Sequence, residues 1–215
     1  LKAVKNLRDL IYMLTSVSSE RVKVTIVEGW KIQDIALELE DKMDIDIETF
    51  ISLCYDNNMI NLLDVDSNIF SLEGFLFPDT YIFLKSYTEK DIIRILLDEF
   101  VNNYNENISD TKLSIYDTVI LASIIQGESK FRSDMDTISS VYHNRLNKNM
   151  LLQADPTIQY LLPKQKKKVL YKDIEIDSPY NTYKYKGLPP GPINSPGLDA
   201  LIAASKPPSS NYLFL

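Results

Sequence analysis

The segment IYDTVILASIIQGE, residues 115–128, is the stretch that decides the fold. Ser114 precedes it, and Asp117 follows three positions later, which is the pattern of a helix N-terminus. Apolar residues fill most of the segment, so the helix belongs in a core. We therefore predict a largely buried helix that begins at Ile115 and ends near Lys130.

An acidic residue ends this apolar helix. Leu121, Ile124 and Ile125 share one helical face, and Glu128 continues that face. A carboxylate on a buried face is costly unless it is paired or protonated. Desolvation and the negative end of the helix dipole would both raise the pKa of Glu128. A carboxylic acid that keeps its proton near neutral pH is what the cleavage of a glycosidic bond requires.

A structural role for Glu128 is the competing interpretation. An ion pair with Arg132 or Arg145 would also place the carboxylate inward. Spacing alone leaves both interpretations open.

Elements upstream of this helix follow from hydrophobic periodicity. Val22, Val24 and Ile26 alternate with polar residues and predict a half-buried strand. We predict helices at residues 8–15, from Ile32 onward, over residues 48–60, and behind an N-cap formed by Thr88 and Asp91. Residues 72–84 are too aromatic for a plain loop, although a glycine and a proline exclude a helix there.

Downstream, Ser133 with Asp136 predicts the start of another helix. Seven of the ten prolines then lie between Pro179 and Pro208. Because this stretch is also rich in tyrosine, we predict an ordered loop system, without regular helix or sheet, packed over the helical core.

Composition excludes several classes of function. The 215 residues carry a formal net charge of −7, which argues against nucleic-acid binding, and the basic run 164–168 is interpreted as a solvated loop. Cys54 is the only cysteine and is expected to be buried. His143 is the only histidine and is expected at the surface, because it lies off the apolar stripe of its helix, which consists of Ile138, Val141, Tyr142 and Leu146. This inventory predicts no metal site and no cofactor. No run of about 18 apolar residues that could cross a membrane is present.

Five sequence blocks, in order, resemble the endolytic murein transglycosylases of the YceG-like family. They are EGFLFPDTY (73–81), LASIIQGES (121–129), NRL with LQADPT (144–146 and 152–157), PYNTY (179–183) and GLPPGPI (187–193). Glu128 falls on the family's catalytic glutamate. The family often has a second acid where this chain has Gln126, so Glu128 alone can be the shared catalyst.

The resemblance implies an α+β fold, with a mainly helical catalytic core, short strands and long ordered Pro/Gly-rich loops. It also implies a small LysM-like strand–helix module. We expect residues 1–65 to form that module with its connector, and residues 66–215 to form the catalytic domain with its C-terminal edge truncated. Family members begin with a membrane anchor, so the expected location is the extracytoplasmic face of the bacterial cell membrane, with contact only through an anchor absent from this chain.

The implied reaction is a non-hydrolytic cut of peptidoglycan glycan strands, which leaves 1,6-anhydromuramyl ends and limits glycan elongation. Glu128 is the expected catalyst, and peptidoglycan synthases are expected partners. The substrate-binding candidates are Glu73, Gln153, Asp155, Asn181, Tyr183 and Asn194. Tyr180, Phe75 and Phe77 are considered as sugar-stacking surfaces, with core packing at least equally favoured.

Two alternatives stay open at this stage. A muramidase-type hydrolase would pair Glu128 with a second carboxylate, either Glu73 or Asp155. A peptidoglycan-binding scaffold protein without catalytic activity would use the LysM-like segment alone.

Overall fold

The computed structural model describes residues 20–65, 69–109 and 111–214. Their fold is α+β, with one two-stranded sheet and eight α-helices in this described part. The helix expected at residues 8–15 lies outside it. The elements are β1 (Arg21–Thr25), α1 (Ile32–Met43), α2 (Ile47–Cys54), α3 (Asn57–Ile60), a 3-10 turn (Asn61–Leu63), β2 (Thr80–Leu84), α4 (Glu89–Asn107), α5 (Ile115–Glu128), α6 (Arg132–Asn147), α7 (Asp155–Leu161) and α8 (Leu198–Ser205).

The sheet joins two segments that are distant in sequence. β1 pairs antiparallel with β2, with Val24 opposite Tyr81 and Thr25 opposite Thr80. Val24, Tyr81 and Phe83 point into the core, and the last two rings stack with their centroids 5.3 Å apart. The strand predicted from Val22 onward is confirmed. The aromatic segment at residues 72–84 supplies the second strand. Buried and exposed residues alternate in this segment only after Pro78.

Several helix boundaries follow their capping residues. The Thr88 hydroxyl accepts a hydrogen bond from the Asp91 backbone N–H, and the Asp91 carboxylate accepts one from the Thr88 backbone N–H. These two bonds form a complete capping box for α4. Ser114 caps α5 in the same manner through Asp117 N–H at 3.0 Å. Both predicted starts are confirmed.

Two predicted boundaries are wrong. The helix expected over residues 48–60 is divided into α2 and α3, because the Asp56 side chain accepts hydrogen bonds from the backbone N–H groups of Asn58 and Met59 and starts a new helix. The helix assigned to a Ser133 cap begins earlier, at Arg132. There the Arg132 guanidinium binds Asp136 at 2.6 Å across one turn.

The central helix α5 is buried on all sides from Thr118 to Gln126. It packs against α6, α7 and α8, and its solvent-accessible residues lie at its two ends. The predicted inward stripe therefore describes part of a helix that has no solvent-facing side over this range.

The Pro-rich stretch contains a helix that the prediction excluded. Residues 198–205, LDALIAAS, contain neither proline nor glycine and form α8 between Gly197 and Pro207. Composition averaged over a long window concealed two good helical turns.

One hydrophobic core includes residues from both sides of the expected domain boundary, such as Ile35 and Phe75. Cys54 is buried there, as predicted. His143 was expected at the surface but is partly buried. Its Nε2 lies 2.8 Å from the Ala204 carbonyl, and burial lowers its pKa. The division at residue 65 stays a prediction.

Candidate active site

A groove of about 700 Å³ lies at the C-terminal end of α5. The loop between β1 and α1 forms one wall, α7 with the residues after it forms a second, and the end of α5 with residues 193–194 forms a third. Among the residues that line the groove are Trp30, Lys31, Glu128, Asp155, Tyr160 and Asn194. An adjoining cavity of about 380 Å³ shares Val27, Glu28, Gln126 and Lys130 with the groove.

Glu128 is half-buried at the edge of this groove and is the last residue of α5. The Tyr142 hydroxyl donates a hydrogen bond of 2.6 Å to its Oε1. Burial is the main cause that raises the pKa of Glu128; the Tyr142 hydrogen bond opposes it, the Asp155 charge adds to it, and the Arg145 charge lowers it. The net direction is upward, as the sequence predicted.

The arginines considered as structural partners of Glu128 are engaged elsewhere. Arg132 binds Asp136 and Asp199. Arg145 donates from Nε to the Leu213 carbonyl at 2.7 Å and from Nη1 to the Leu152 carbonyl. Within residues 20–65, 69–109 and 111–214, no ion pair joins either arginine to Glu128.

Sequence reasoning placed Tyr142 on the apolar stripe of α6 and missed its hydroxyl. The residue is 2% exposed. A buried phenol needs a hydrogen-bond partner, and this requirement was the available signal. Glu128 is that partner.

Asp155 is exposed in the groove at the first position of α7. Its Oδ1 accepts a hydrogen bond from the Tyr183 hydroxyl at 2.5 Å. The adjacent Thr182 accepts from the Ala154 backbone N–H and contacts the Thr157 hydroxyl, both at 2.9 Å. The structure thus brings the PYNTY and LQADPT blocks together beside Glu128.

Asn194 presents an unused acceptor at the groove. Its Nδ2 donates to the Ser123 carbonyl at 2.8 Å, which fixes the orientation of the amide. Its Oδ1 is buried and has no partner in the described part of the chain. Because an orphaned buried acceptor is costly, a ligand donor is a natural complement.

Four of the predicted substrate-binding residues, Tyr183 among them, lie outside the residues that line the groove. Glu73 is 2% exposed and accepts a hydrogen bond from the Ile32 backbone N–H at 3.2 Å, at the start of α1. Burial raises its pKa to about 8. Asn181 is fully buried and donates to the carbonyls of Ile174 and Ile176. Gln153 is exposed, in a left-handed backbone conformation with φ of 50°.

The Glu73 and Asn181 side chains are both enclosed and bonded to backbone groups of neighbouring segments. Their contact with substrate stays a prediction, and so does Glu73 as the second carboxylate of a hydrolase.

Phe75 and Phe77 are core residues, 0% and 5% exposed, as the core-packing interpretation predicted. Tyr180 packs against Tyr160 with ring centroids 5.0 Å apart. Trp30 and Tyr160 line the groove instead, which sequence reasoning missed because the groove walls are set by tertiary contacts.

Gly127 permits the close approach of α5 and α7 beside the acid. A Cβ at this position would lie 2.5 Å from Pro156 Cβ, well inside contact distance. The absence of a side chain therefore lets Glu128 and Asp155 share one groove.

Among the described residues, no three His, Cys, Asp or Glu side chains are grouped so that they could hold a metal ion. None of the described helices combines the length and the hydropathy that crossing a bilayer requires.

The family model described as the YceG-like family matches residues 1–215. The chain belongs to this family. A crystal structure of a YceG-like protein from Listeria monocytogenes is similar, with a TM-score of 0.80 and 32% identity, over 100% of this chain and 76% of that one.

Curated YceG-like relatives carry the name endolytic murein transglycosylase. The Bacillus subtilis protein is 37% identical over 226 residues, which cover 97% of this chain and 63% of that protein. A Streptococcus pneumoniae serotype 2 protein is 32% identical over 89% of this chain and 39% of its own length. The chain thus spans less than two thirds of each of these relatives.

Proposed function

We propose that this chain is an endolytic lytic transglycosylase that cuts the bond between N-acetylmuramic acid and N-acetylglucosamine in peptidoglycan. The observation that carries the proposal is Glu128, a half-buried acid of raised pKa that lines the groove and forms no ion pair with an arginine of the described residues. The names of the YceG-like relatives support the same substrate.

Glu128 acts first as the acid. Tyr142 holds Oε1, so the proton is carried on Oε2 and is delivered to the glycosidic oxygen. The bond between muramyl C1 and this oxygen breaks, and the N-acetylglucosamine side leaves as an alcohol. Glu128 is then an anion, which the Tyr142 hydrogen bond stabilises.

Glu128 acts next as the base. It takes the proton of the muramyl C6 hydroxyl, and O6 bonds to C1 to close the 1,6-anhydro ring. One carboxylate suffices because the nucleophile belongs to the substrate and its effective concentration is high. Limiting glycan elongation is the cellular consequence that this reaction predicts.

Other residues in or beside the groove bind the sugar or shift the pKa of Glu128. Asp155 raises the pKa of Glu128 through its charge and is oriented by Tyr183. Asn194 Oδ1 is the proposed acceptor for an N-acetyl N–H or a sugar hydroxyl. Gln153 stays a candidate at the periphery, since its side chain is exposed.

Residues 1–65 are proposed as a LysM-like module that supplies one groove wall, and residues 66–215 as the catalytic domain with its ordered Pro/Gly-rich loops. Because peptidoglycan lies outside the cytoplasm, we place the activity at the extracytoplasmic face of the membrane. Family resemblance supports a membrane anchor and synthase partners for the full-length protein.

The test is Glu128→Gln, with Glu40→Gln on the exposed face of α1 as a matched control. The expected result is an unchanged circular dichroism spectrum with no release of anhydromuropeptides from purified sacculi, while the control retains wild-type release. Full activity of Glu128→Gln would end the assignment.

A muramidase that pairs Glu128 with Asp155 is the second candidate, because both carboxyl groups line the groove. Product mass separates the two reactions, since hydrolysis adds one water and leaves a reducing end. Binding of glycan without any cleavage would instead favour the scaffold alternative.

A further inference from the structure

The groove wall formed by the loop between β1 and α1 is held by backbone hydrogen bonds to Ser195, next to a residue that is bonded to α5. Gly29 N–H donates to the Ser195 carbonyl at 2.8 Å, and Ser195 N–H donates to the Trp30 carbonyl at 2.7 Å. The neighbouring Asn194 is bonded to Ser123 within α5. Trp30 and Lys31 are therefore held in a set position relative to Glu128, as a preorganised binding surface requires.

Lys31 is a half-buried cation on this wall. Its Nζ lies 4.8 Å from the centroid of the Tyr160 ring and 3.5 Å from the Tyr160 carbonyl. In the described part of the chain no carboxylate lies within 4.0 Å of it, whereas Lys166 at the same groove binds Asp173 at 2.6 Å.

The acids near Lys31 do not pair with its ammonium group. Asp34 accepts a hydrogen bond from the Lys31 backbone N–H at 3.0 Å rather than from its ammonium group. Burial lowers the pKa of Lys31 and outweighs the opposing influence of Glu73 and Asp34. A desolvated cation with no ion partner favours an anionic ligand.

Trp30 lies next to Lys31 in sequence, is partly exposed and lines the same groove. An indole ring offers a flat apolar surface to the axial C–H face of a pyranose sugar. An aromatic platform beside a cation suits an amino sugar that carries a carboxylate.

We propose that Trp30 and Lys31 form a subsite for a muramyl residue, with the sugar ring on Trp30 and a carboxylate of its lactyl side chain or attached stem peptide on Lys31. The subsite rests on the proposed function. It would set the register of the glycan strand in the groove, because N-acetylglucosamine, the alternate sugar, has no carboxylate. Binding at this wall selects which of the two alternating linkages faces Glu128.

The experiment measures equilibrium binding of the 215-residue chain in a Glu128→Gln background, so that no turnover occurs. Lys31→Met keeps the aliphatic stem over Tyr160 and removes the charge, and Lys31→Arg restores the charge. Lys167→Met, an exposed lysine outside the groove lining, is the matched control. The probes are peptide-free glycan strands with free lactyl carboxylates, peptide-bearing strands, and N-acetylglucosamine oligomers.

Lys31→Met is expected to weaken binding of a carboxylate-bearing strand about tenfold and to leave N-acetylglucosamine oligomers unaffected. Lys31→Arg should recover most of the affinity, and the loss should shrink at high salt. A loss confined to peptide-free strands identifies the lactyl carboxylate, and a loss confined to peptide-bearing strands identifies the stem peptide.

Equal affinities for Lys31→Met and Lys167→Met, or an equal loss with N-acetylglucosamine oligomers, would overturn the subsite. So would a parent protein that binds none of the three probes. These outcomes are independent of whether Glu128→Gln abolishes cleavage, so the subsite and the proposed function can fail separately. In the active parent, the same substitution should lower kcat/KM for carboxylate-bearing strands, because it removes a contact that holds the substrate in register with Glu128.

Discussion

Replacing Glu73 with glutamine should remove a large part of the pH dependence of stability. The carboxyl group is 2% exposed, and its pKa rises from 4.5 to about 8 on folding, chiefly through desolvation. The folded protein therefore keeps a proton that the unfolded chain releases. Stability from this group is fully present below about pH 4.5 and is lost as the pH rises toward about 8.

The size of the effect follows from the size of the shift. Each unit between the two pKa values changes the free energy of unfolding by about 1.4 kcal/mol. Between about pH 5 and about pH 7 the wild-type protein should lose about 2.5 kcal/mol through Glu73 alone. Glutamine is uncharged at every pH, and its oxygen can still accept from Ile32 N–H. Glu73→Gln should therefore lack this loss.

Urea unfolding provides the assay, followed by the fluorescence of Trp30, the only tryptophan in the chain. The quantity of interest is the difference between mutant and wild type at the two pH values, with Glu40→Gln as a control for an exposed acid. Parallel pH profiles for wild type and Glu73→Gln would mean that Glu73 is ionised in the folded protein and would refute the reasoning. Since Glu73 lies outside the groove lining, kcat should not change where both proteins are folded.

Three further changes test the site. Tyr142→Phe removes a hydrogen bond to the Glu128 anion, so the alkaline limb of the pH–rate profile should move upward while kcat falls; an unmoved limb would contradict this. Asp155→Asn removes a neighbouring negative charge, so the same limb should move to lower pH. If Asp155→Asn still releases products of the wild-type mass, that would argue against a hydrolase that uses Asp155 as its second carboxylate. Gly127→Ala should force Pro156 away, with a loss of about 1–3 kcal/mol in unfolding free energy and at least tenfold in kcat/KM; wild-type urea midpoint and rate would show that the contact is unimportant.

Local signals in the sequence were sufficient to predict α5. A cap at Ser114, an apolar run and an acid at its end depend on neighbouring residues only, and the structure has all three. The same is true of the capping box at Thr88. Ser133 failed as a cap because the chain offered an earlier start at Arg132, where an ion pair across one turn supports the first helical residues.

The groove could not be derived in this manner. Its walls depend on contacts between distant segments, such as the pairing of β1 with β2 and the approach of Asn194 to Ser123. Tyr142 was interpreted as an apolar residue, because a helical stripe indicates only the face on which a side chain lies. It gives no information about the hydrogen-bond partner of the hydroxyl. Glu73 had the right chemistry for a sugar contact, but its burial is decided by the packing of α1.

The backbone link between Gly29 and Ser195 has a consequence for the timing of activity. A ribosome synthesises the N-terminal segment long before it reaches residue 195. Until then, the groove wall formed by the loop between β1 and α1 lacks the hydrogen bonds to Ser195 that hold it in place. A partly synthesised or prematurely terminated chain would carry Glu128 without an assembled cleft around it. The cleavage that we propose therefore requires a chain that has been synthesised at least through residue 195.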